Sequence, residues 1–376
     1  MSKFIDTLLA HCAPDSPTRS ERGITTGEPA DPCRRTWVQV HEQALRAAGT
    51  LRIAAPGSHC VYPGDAVAVL AGDPGLIAPA VQGVWLAGGS VTMLHQPTPR
   101  ADLSRWVTDT VKVLGMIGAK LVLLGPPFDA LAPLLHGQGI DYRMLGDLDH
   151  VAATPLPAPV SGGEDDTALL QLTSGSTAEP KAVQITHGNL YANITAMAQA
   201  AALDPASEVM ISWLPLFHDM GMVGFLTLPM ILGLELVKVT PADFLSRPLL
   251  WAELISKHRG TVTAAPNFAY GLMARRLAAT DKELDLSSLR FALNGAEPIE
   301  PAAVRAFTAA GARFGLPEHA VVCAYGMAET TLGVSFAPHS IGMQVDTVDA
   351  DALESQRLAV PAVGAVGKVR AFPRLG

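Results

Sequence analysis

Between residues 171 and 181 the chain reads Gln-Leu-Thr-Ser-Gly-Ser-Thr-Ala-Glu-Pro-Lys, a run of hydroxyls and one glycine closed by a lysine. Thr173, Ser174, Ser176 and Thr177 supply hydroxyl donors, and Gly175 loosens the backbone so that successive N–H groups can converge on an anion. Lys181 adds a compact positive charge at the far end. Such a set can hold a polyanion such as a chain of phosphates. A Walker-type loop is excluded, since that requires G-x-x-x-x-G-K-[ST] feeding straight into a helix. Residues 168–172 form an apolar run of strand length, and Val183 and Ile185 alternate with Gln184 and Thr186 as in a second strand. Helical spacing begins only at Leu190, Ile194, Met197 and Ala201. The loop is therefore expected to join two strands. A hairpin turn with no ligand is the alternative, and the segments that separate the two readings lie downstream.

Those segments need a scaffold. From Ala66 onward apolar strands (66–70, 91–94, 120–124) alternate with helical stretches (76–86, 103–116), a βαβ rhythm that implies a mostly parallel sheet. Residues 155–163, rich in Pro and Gly, read as a connector, with a lobe boundary near Ser161. The rhythm returns with strands expected at 209–213, 235–239, 261–264, 289–293 and 321–325, each followed by a loop and a helix-like stretch. Ligands of open α/β sheets bind at the carboxyl ends of strands. Four segments sit there: Leu-Pro-Leu-Phe-His-Asp-Met-Gly at 214–221, Pro-Asn-Phe-Ala-Tyr at 266–270, Asn-Gly-Ala-Glu-Pro at 294–298, and Gly-Met-Ala-Glu-Thr-Thr at 326–331.

With the hydroxyl loop and Lys181, this ordered set resembles the adenylate-forming superfamily over residues 66–333, and most resembles fatty acyl-AMP ligases at 212–221 and 294–298. The resemblance implies an α/β fold: two subdomains with mostly parallel sheets (residues 1–160 and 161–336), then a family insertion and the start of a small β-barrel (337–376) expected to be less ordered. It implies attack of a fatty acid carboxylate on the α-phosphorus of ATP, giving acyl-adenylate and pyrophosphate. Both reactants are anions, so the site must supply positive charge and alignment.

The resemblance also implies roles. Thr173, Ser174, Gly175, Ser176, Thr177 and Lys181 would hold the β- and γ-phosphates, and the stretch Ala324, Tyr325, Gly326, Met327 and Ala328 would flank the nucleotide, Tyr325 offering its ring to adenine. Asn294, Gly295, Ala296 and Glu297 would edge the base and α-phosphate. Glu329 is the expected Mg²⁺ ligand, since that ion takes a carboxylate or two beside phosphates and water. His218 would stand where carboxylate meets α-phosphate. The plainer readings are core packing for Tyr325, a helix-dipole acid for Glu329 and a turn residue for His218. A catalytic dyad of His218 with Asp219 is rejected on the expectation that neighbours in such a turn do not face each other, and because no G-x-S-x-G motif occurs. His187 reads as a strand-to-helix connector. Among Met220, Met222, Phe225, Met230, Phe268 and Met273, some are expected to line an acyl tunnel and most to pack the core. The chain stops at Gly376 before the family's ribose-binding aspartate, hinge and catalytic lysine, so the resemblance implies the large N-terminal domain without its C-terminal lid, nearly inactive by itself.

Three functions follow: a fatty acyl-AMP ligase serving an acyl carrier protein or synthase module, a fatty acyl-CoA synthetase, and a nucleotide-binding module without catalysis. Composition agrees with a small-molecule enzyme. At 376 residues and net charge −8, with no Lys/Arg-dense run, the chain lacks the footprint of a nucleic-acid binder. Cys12, Cys33, Cys60 and Cys323 are scattered without a C-x-x-C pair, which points to a reducing compartment and a cytoplasmic protein. Residues 220–234 carry no charge but fall short of the roughly 20 residues a membrane span needs, and they read as a buried helix leading into a core strand. Residues 16–32 read as an exposed arm.

Overall fold

The computed structural model describes residues 1–53, 59–97, 101–149, 154–160, 162–173, 181–362 and 367–376. Their strands, in chain order, are β1 (Gly23–Thr26), β2 (Cys33–Thr36), β3 (Ala66–Leu70), β4 (Ser90–Met93), β5 (Ala119–Leu124), β6 (Tyr142–Met144), β7 (Thr167–Thr173), β8 (Lys181–Thr186), β9 (Val209–Ser212), β10 (Glu235–Lys238), β11 (Val262–Pro266), β12 (Phe291–Gly295), β13 (Val321–Gly326), β14 (Gly333–Phe336), β15 (Val345–Asp349) and β16 (Val369–Pro373). Two large sheets result, ordered β6-β5-β3-β4-β7-β8 and β14-β13-β12-β11-β9-β10-β1-β2. Their inner strands are parallel, while β8, β14 and β2 add antiparallel edges. Buried parallel strands carry continuous apolar runs, which is why β3, β9, β11 and β13 were readable from composition. In β3 the period of two divides the burial: Val67 and Val69 face the large core shared by both sheets, and Ala68 and Leu70 face a second cluster with Leu114 and Leu135.

Three expectations need correction. The sheets do not divide at residue 161, because β7 and β8 complete the first sheet while β1 and β2, from the N-terminal segment, extend the second. Residues 16–32 are accordingly not a free arm: β1 is fully buried and pairs in parallel with β10. Only Ile24 of its four residues is strongly apolar, so no periodicity announced it, and its partner lies some two hundred residues away in sequence. Gly23 permits the packing, since a Cβ there would stand 1.9 Å from the Arg35 carbonyl oxygen. Beyond the strand, buried Glu28 accepts from Lys257 Nζ at 2.6 Å and lies 2.9 Å from His258 Nε2; burial raises its pKa, but these two partners outweigh that and hold it below the ordinary value. Third, the described part of residues 337–376 holds more regular structure than expected: β15 and β16 pair antiparallel around the helix Ala350–Gln356.

The uncharged stretch at 220–234 is buried as expected, but its first part, Met220–Thr227, winds as a π-helix with a kink at Phe225 before an α-helical turn at Leu228–Leu232. Wide π turns concentrate at functional sites, and this one borders the cavity described next. Among the described residues, no helix is long and apolar enough to cross a membrane.

Candidate nucleotide and acyl site

β7 and β8 pair antiparallel, with Thr173 opposite Lys181, so the hydroxyl loop is the connection of a hairpin. Ser174, Gly175, Ser176 and Thr177 lie outside the described residues. Lys181 is exposed at the start of β8, and no salt bridge to it occurs among the described residues. The helix His187–Ala200 follows at once, started by a capping box of Thr186 and Asn189. His187 is thus the connector expected, buried and 2.9 Å through Nδ1 from Ser2 Oγ.

At the carboxyl ends of β9, β12 and β13 a cavity of about 260 Å³ opens. Its mouth carries His218, Asp219, Gly295, Ala296, Tyr325, Gly326 and Met327. Tyr325 is 48 % exposed, which excludes the core-packing reading and leaves its ring face available. Ala296 holds a left-handed φ of 67°, turning the chain past the end of β12. Inward, the walls become apolar: buried Met197, Met210, Val262 and Phe291, with partly buried Leu293 and Phe336. Of the expected tunnel residues, Met220 and Phe225 line this cavity, Met222, Met230 and Met273 sit in the core, and Phe268 is exposed. Most of the wall was not foreseen, because strand residues that face a cavity carry the same apolar signature as those that face packed side chains.

His218 and Asp219 do touch, contrary to expectation. Nδ1 of the half-exposed imidazole lies 2.6 Å from Oδ1 of Asp219. The premise failed because Asp219 is not in an extended turn: it is helical (φ −53°, ψ −46°) and caps the next helix, accepting from Met220 N at 2.7 Å, which swings its carboxylate back toward His218. The hydrogen bond to Asp219 raises the His218 pKa above its ordinary value despite burial, favouring the imidazolium. His95, at the end of β4, packs edge-on to Phe217 at 5.4 Å; burial, then the like charge of His218, lowers its pKa. The cavity mouth therefore carries a histidine whose charged form Asp219 favours, an arrangement suited to an anionic ligand, and no serine nucleophile motif accompanies it.

Two side chains missed by sequence reasoning fix the loop that presents this pair. Gln171, on β7 of the first sheet, donates from Nε2 to the Phe217 carbonyl at 3.0 Å. Lys238, on β10 and wholly buried, donates to the Leu214 carbonyl and at 3.4 Å to Ser212 Oγ. Gly221 completes the turn, since a Cβ there would meet the Pro215 oxygen at 2.0 Å. Burial lowers the Lys238 pKa from 10.5 to about 7. Between those values the unfolded chain binds a proton that the folded chain lacks, so folding stability rises as pH climbs from about 7 toward 10.5. Urea denaturation should show a gain on the order of 1 kcal/mol per pH unit across that window, and Lys238→Met should flatten it.

Of the remaining expected residues, Ala324 also lines the cavity and the others are less close. Asn294 is buried, donating from Nδ2 to Asn267 Oδ1 at 3.2 Å, and does not line the cavity. Glu297 accepts from the Phe268 N–H at 2.6 Å. Ala324 and Ala328 are buried around the exposed Tyr325 and Met327. Glu329 is exposed in the turn Ala328–Thr330 and borders a separate cleft of about 360 Å³ beside β8, the strand that Lys181 begins. Asn193 ties that turn down by exchanging hydrogen bonds of 2.9 and 3.0 Å with the Gly333 backbone. No cluster of three or more metal-ligating side chains occurs among the described residues, which leaves Glu329 as a single carboxylate.

Two crossover-built parallel sheets, with a half-exposed His–Asp pair and a tyrosine at strand ends above an apolar cavity, define the large domain of an adenylate-forming fold. The chain belongs to the AMP-binding enzyme family, whose pattern matches residues 21–370. It is 53 % identical over 378 aligned residues to the Mycobacterium tuberculosis protein Rv1013, covering all of this chain and 67 % of that one. The medium-chain-fatty-acid–[acyl-carrier-protein] ligase TtuA of Teredinibacter turnerae is 39 % identical across 53 % of this chain and 31 % of its own. One solved structure, from work on fatty acyl-adenylate ligases of E. coli and L. pneumophila, superposes with a TM-score of 0.88 at 30 % identity, over 100 % of this chain and 66 % of that one. The chain thus spans about two-thirds or less of the length of these relatives.

Proposed function

We propose that this protein is the adenylating domain of a fatty acyl-AMP ligase. A fatty acid carboxylate oxygen attacks the α-phosphorus of ATP, the new P–O bond forms, and the bond to pyrophosphate breaks. The observation that carries the reading is the join at His218: the imidazole, 2.6 Å from Asp219, stands where the polar mouth meets the apolar cavity, so a carboxylate held there has its chain among Met210, Phe291 and Phe336 and its charge beside the nucleotide. Tyr325 packs the adenine, Gly295 and Ala296 edge the α-phosphate, and Thr173 to Thr177 with Lys181 hold the departing phosphates. Glu329 fits a Mg²⁺ ion as one carboxylate beside phosphates and water, and the ion neutralises phosphate charge when bound. The likeness to a ligase named for an acyl carrier protein supports such a carrier as the acceptor.

The test is made on the chain continued through the length its relatives have. With fatty acid and ATP, pyrophosphate should be released and acyl-adenylate detected by mass spectrometry; acyl groups should load onto carrier protein and not onto coenzyme A. His218→Ala should lower the rate with fatty acid by about tenfold to a hundredfold. Abundant thioester with coenzyme A would move the reading to an acyl-CoA synthetase, and no pyrophosphate release would leave only a binding module.

A further inference from the structure

The cavity has a floor, and the floor is strapped shut. Its walls follow β12 from Gly295 at the mouth to Phe291 at the far end, and at that depth β9 contributes Met210 and β11 contributes Val262. The floor is closed by Ala201 and Leu203, in the turn that ends the helix His187–Ala200. Besides its own backbone bonds, one side chain binds two of that turn's carbonyls. Arg290, immediately before β12, donates to the Ala201 carbonyl at 2.9 Å and to the Ala202 carbonyl at 3.0 Å. Its Nε donates to Glu208 Oε1 at 2.7 Å, and Glu208, just before β9 and 3 % exposed, also accepts from Thr261 Oγ1. The guanidinium thus ties the amino ends of two cavity-forming strands to the floor. Ala202 adopts a left-handed φ of 46°, closed by backbone bonds from Ala202 N to the Gln199 carbonyl at 3.1 Å and from Leu203 N to the Ala198 carbonyl at 2.9 Å, and the Arg290 guanidinium adds to these.

We infer that this protein takes medium-chain acyl groups, with a ceiling of about ten carbons set by the Ala201–Leu203 floor that Arg290 and Glu208 hold shut. The inference rests on the adenylating reading above. Strand register sets the length. From Gly295 to Phe291 the wall runs four strand steps, ~13 Å at ~3.3 Å each. Each carbon of an extended chain advances about 1.3 Å, the projection of a C–C bond of about 1.5 Å, so ~10 carbons reach the floor. The inner walls carry no charged side chain, so they suit an apolar chain. A rigid floor converts depth into selectivity: methylenes that fit gain burial, and those beyond must displace a turn held by an ion pair.

The experiment uses acyl-sulfamoyl-adenosines, which are non-reactive mimics of acyl-adenylate, with even chains from six to sixteen carbons, titrated calorimetrically into this chain. Affinity is expected to rise about fourfold per methylene up to about ten carbons and to level or fall beyond. Met210→Ala, which opens the far end, should move the break about two carbons longer, and Ala201→Leu should move it about two shorter. Arg290→Lys, which keeps the charge beside Glu208 but cannot span both carbonyls, should raise the affinity for the fourteen-carbon probe at least tenfold relative to the ten-carbon probe and leave the eight-carbon probe within twofold. Affinity that climbs steadily to sixteen carbons in the unmodified chain, or a break that stays put in both lining variants, overturns the ceiling while leaving adenylate binding intact. Absence of binding at every length overturns the adenylate reading, and the ceiling with it.

Discussion

Replacing Lys181 with methionine is expected to weaken Mg-ATP binding by about tenfold to a hundredfold, because a charge-assisted contact to phosphate contributes about 1.5–3 kcal/mol. Lys181 begins β8 opposite Thr173 and is exposed at the end of the hydroxyl-rich hairpin. Methionine keeps the length of the stem and removes only the ammonium. The measurement is isothermal titration of ATP with excess Mg²⁺ into this chain, with Lys257→Met as the comparison. Lys257 is also a lysine with an exposed side chain, but it is committed to Glu28 on the far sheet edge, and its loss should leave ATP affinity unchanged while costing some stability. Equal ATP affinity in Lys181→Met and the unmodified chain would remove the hairpin from the phosphate site, and the proposed chemistry would lose its principal source of positive charge.

The second large effect is on stability. Glu208→Ala should destabilise the fold by about 3 kcal/mol, the low end of the range for breaking a buried ion pair. Glu208 is 3 % exposed and accepts from both Arg290 and Thr261, so the alanine removes the buried acceptor the two share and the charge that pairs with the guanidinium. The low end applies because the Arg290 side chain is 32 % exposed, and water can recover part of its solvation. Thermal unfolding followed by circular dichroism should show a midpoint several degrees lower, while Glu208→Gln, which retains an acceptor, should lose less. If alanine costs under about 0.5 kcal/mol, the ion pair is a surface ornament and cannot hold the cavity floor.

Several parts of this molecule were legible before any coordinates, for identifiable reasons. Strands β3, β9, β11 and β13 lie inside parallel sheets, where burial on both faces demands apolar runs that no loop would keep. The hairpin of β7 and β8 announced itself through alternation on one side and a hydroxyl-rich, glycine-containing turn between. Tyr325, His218 and Gly295 line the cavity, and each lies at or beyond the carboxyl end of a strand, where an α/β sheet gathers its loops.

Other parts depended on distance in sequence. Ile24 says little alone, and β1 exists because β10 supplies the pairing partner. The contact of His218 with Asp219 turned on one pair of backbone angles at a helix cap, which no residue pattern encodes. Gln171 and Lys238 had no signature as loop anchors, since an amide in a strand and a lysine at a strand end look alike whether they face water or a carbonyl. The local order of residues thus determined the strands, the turns at their ends, and the lysine-closed hairpin. Tertiary structure alone decided how deep the cavity runs and what closes it, because Met210, Val262, Phe291 and Ala201 come from four separate segments and only packing sets the space left between them.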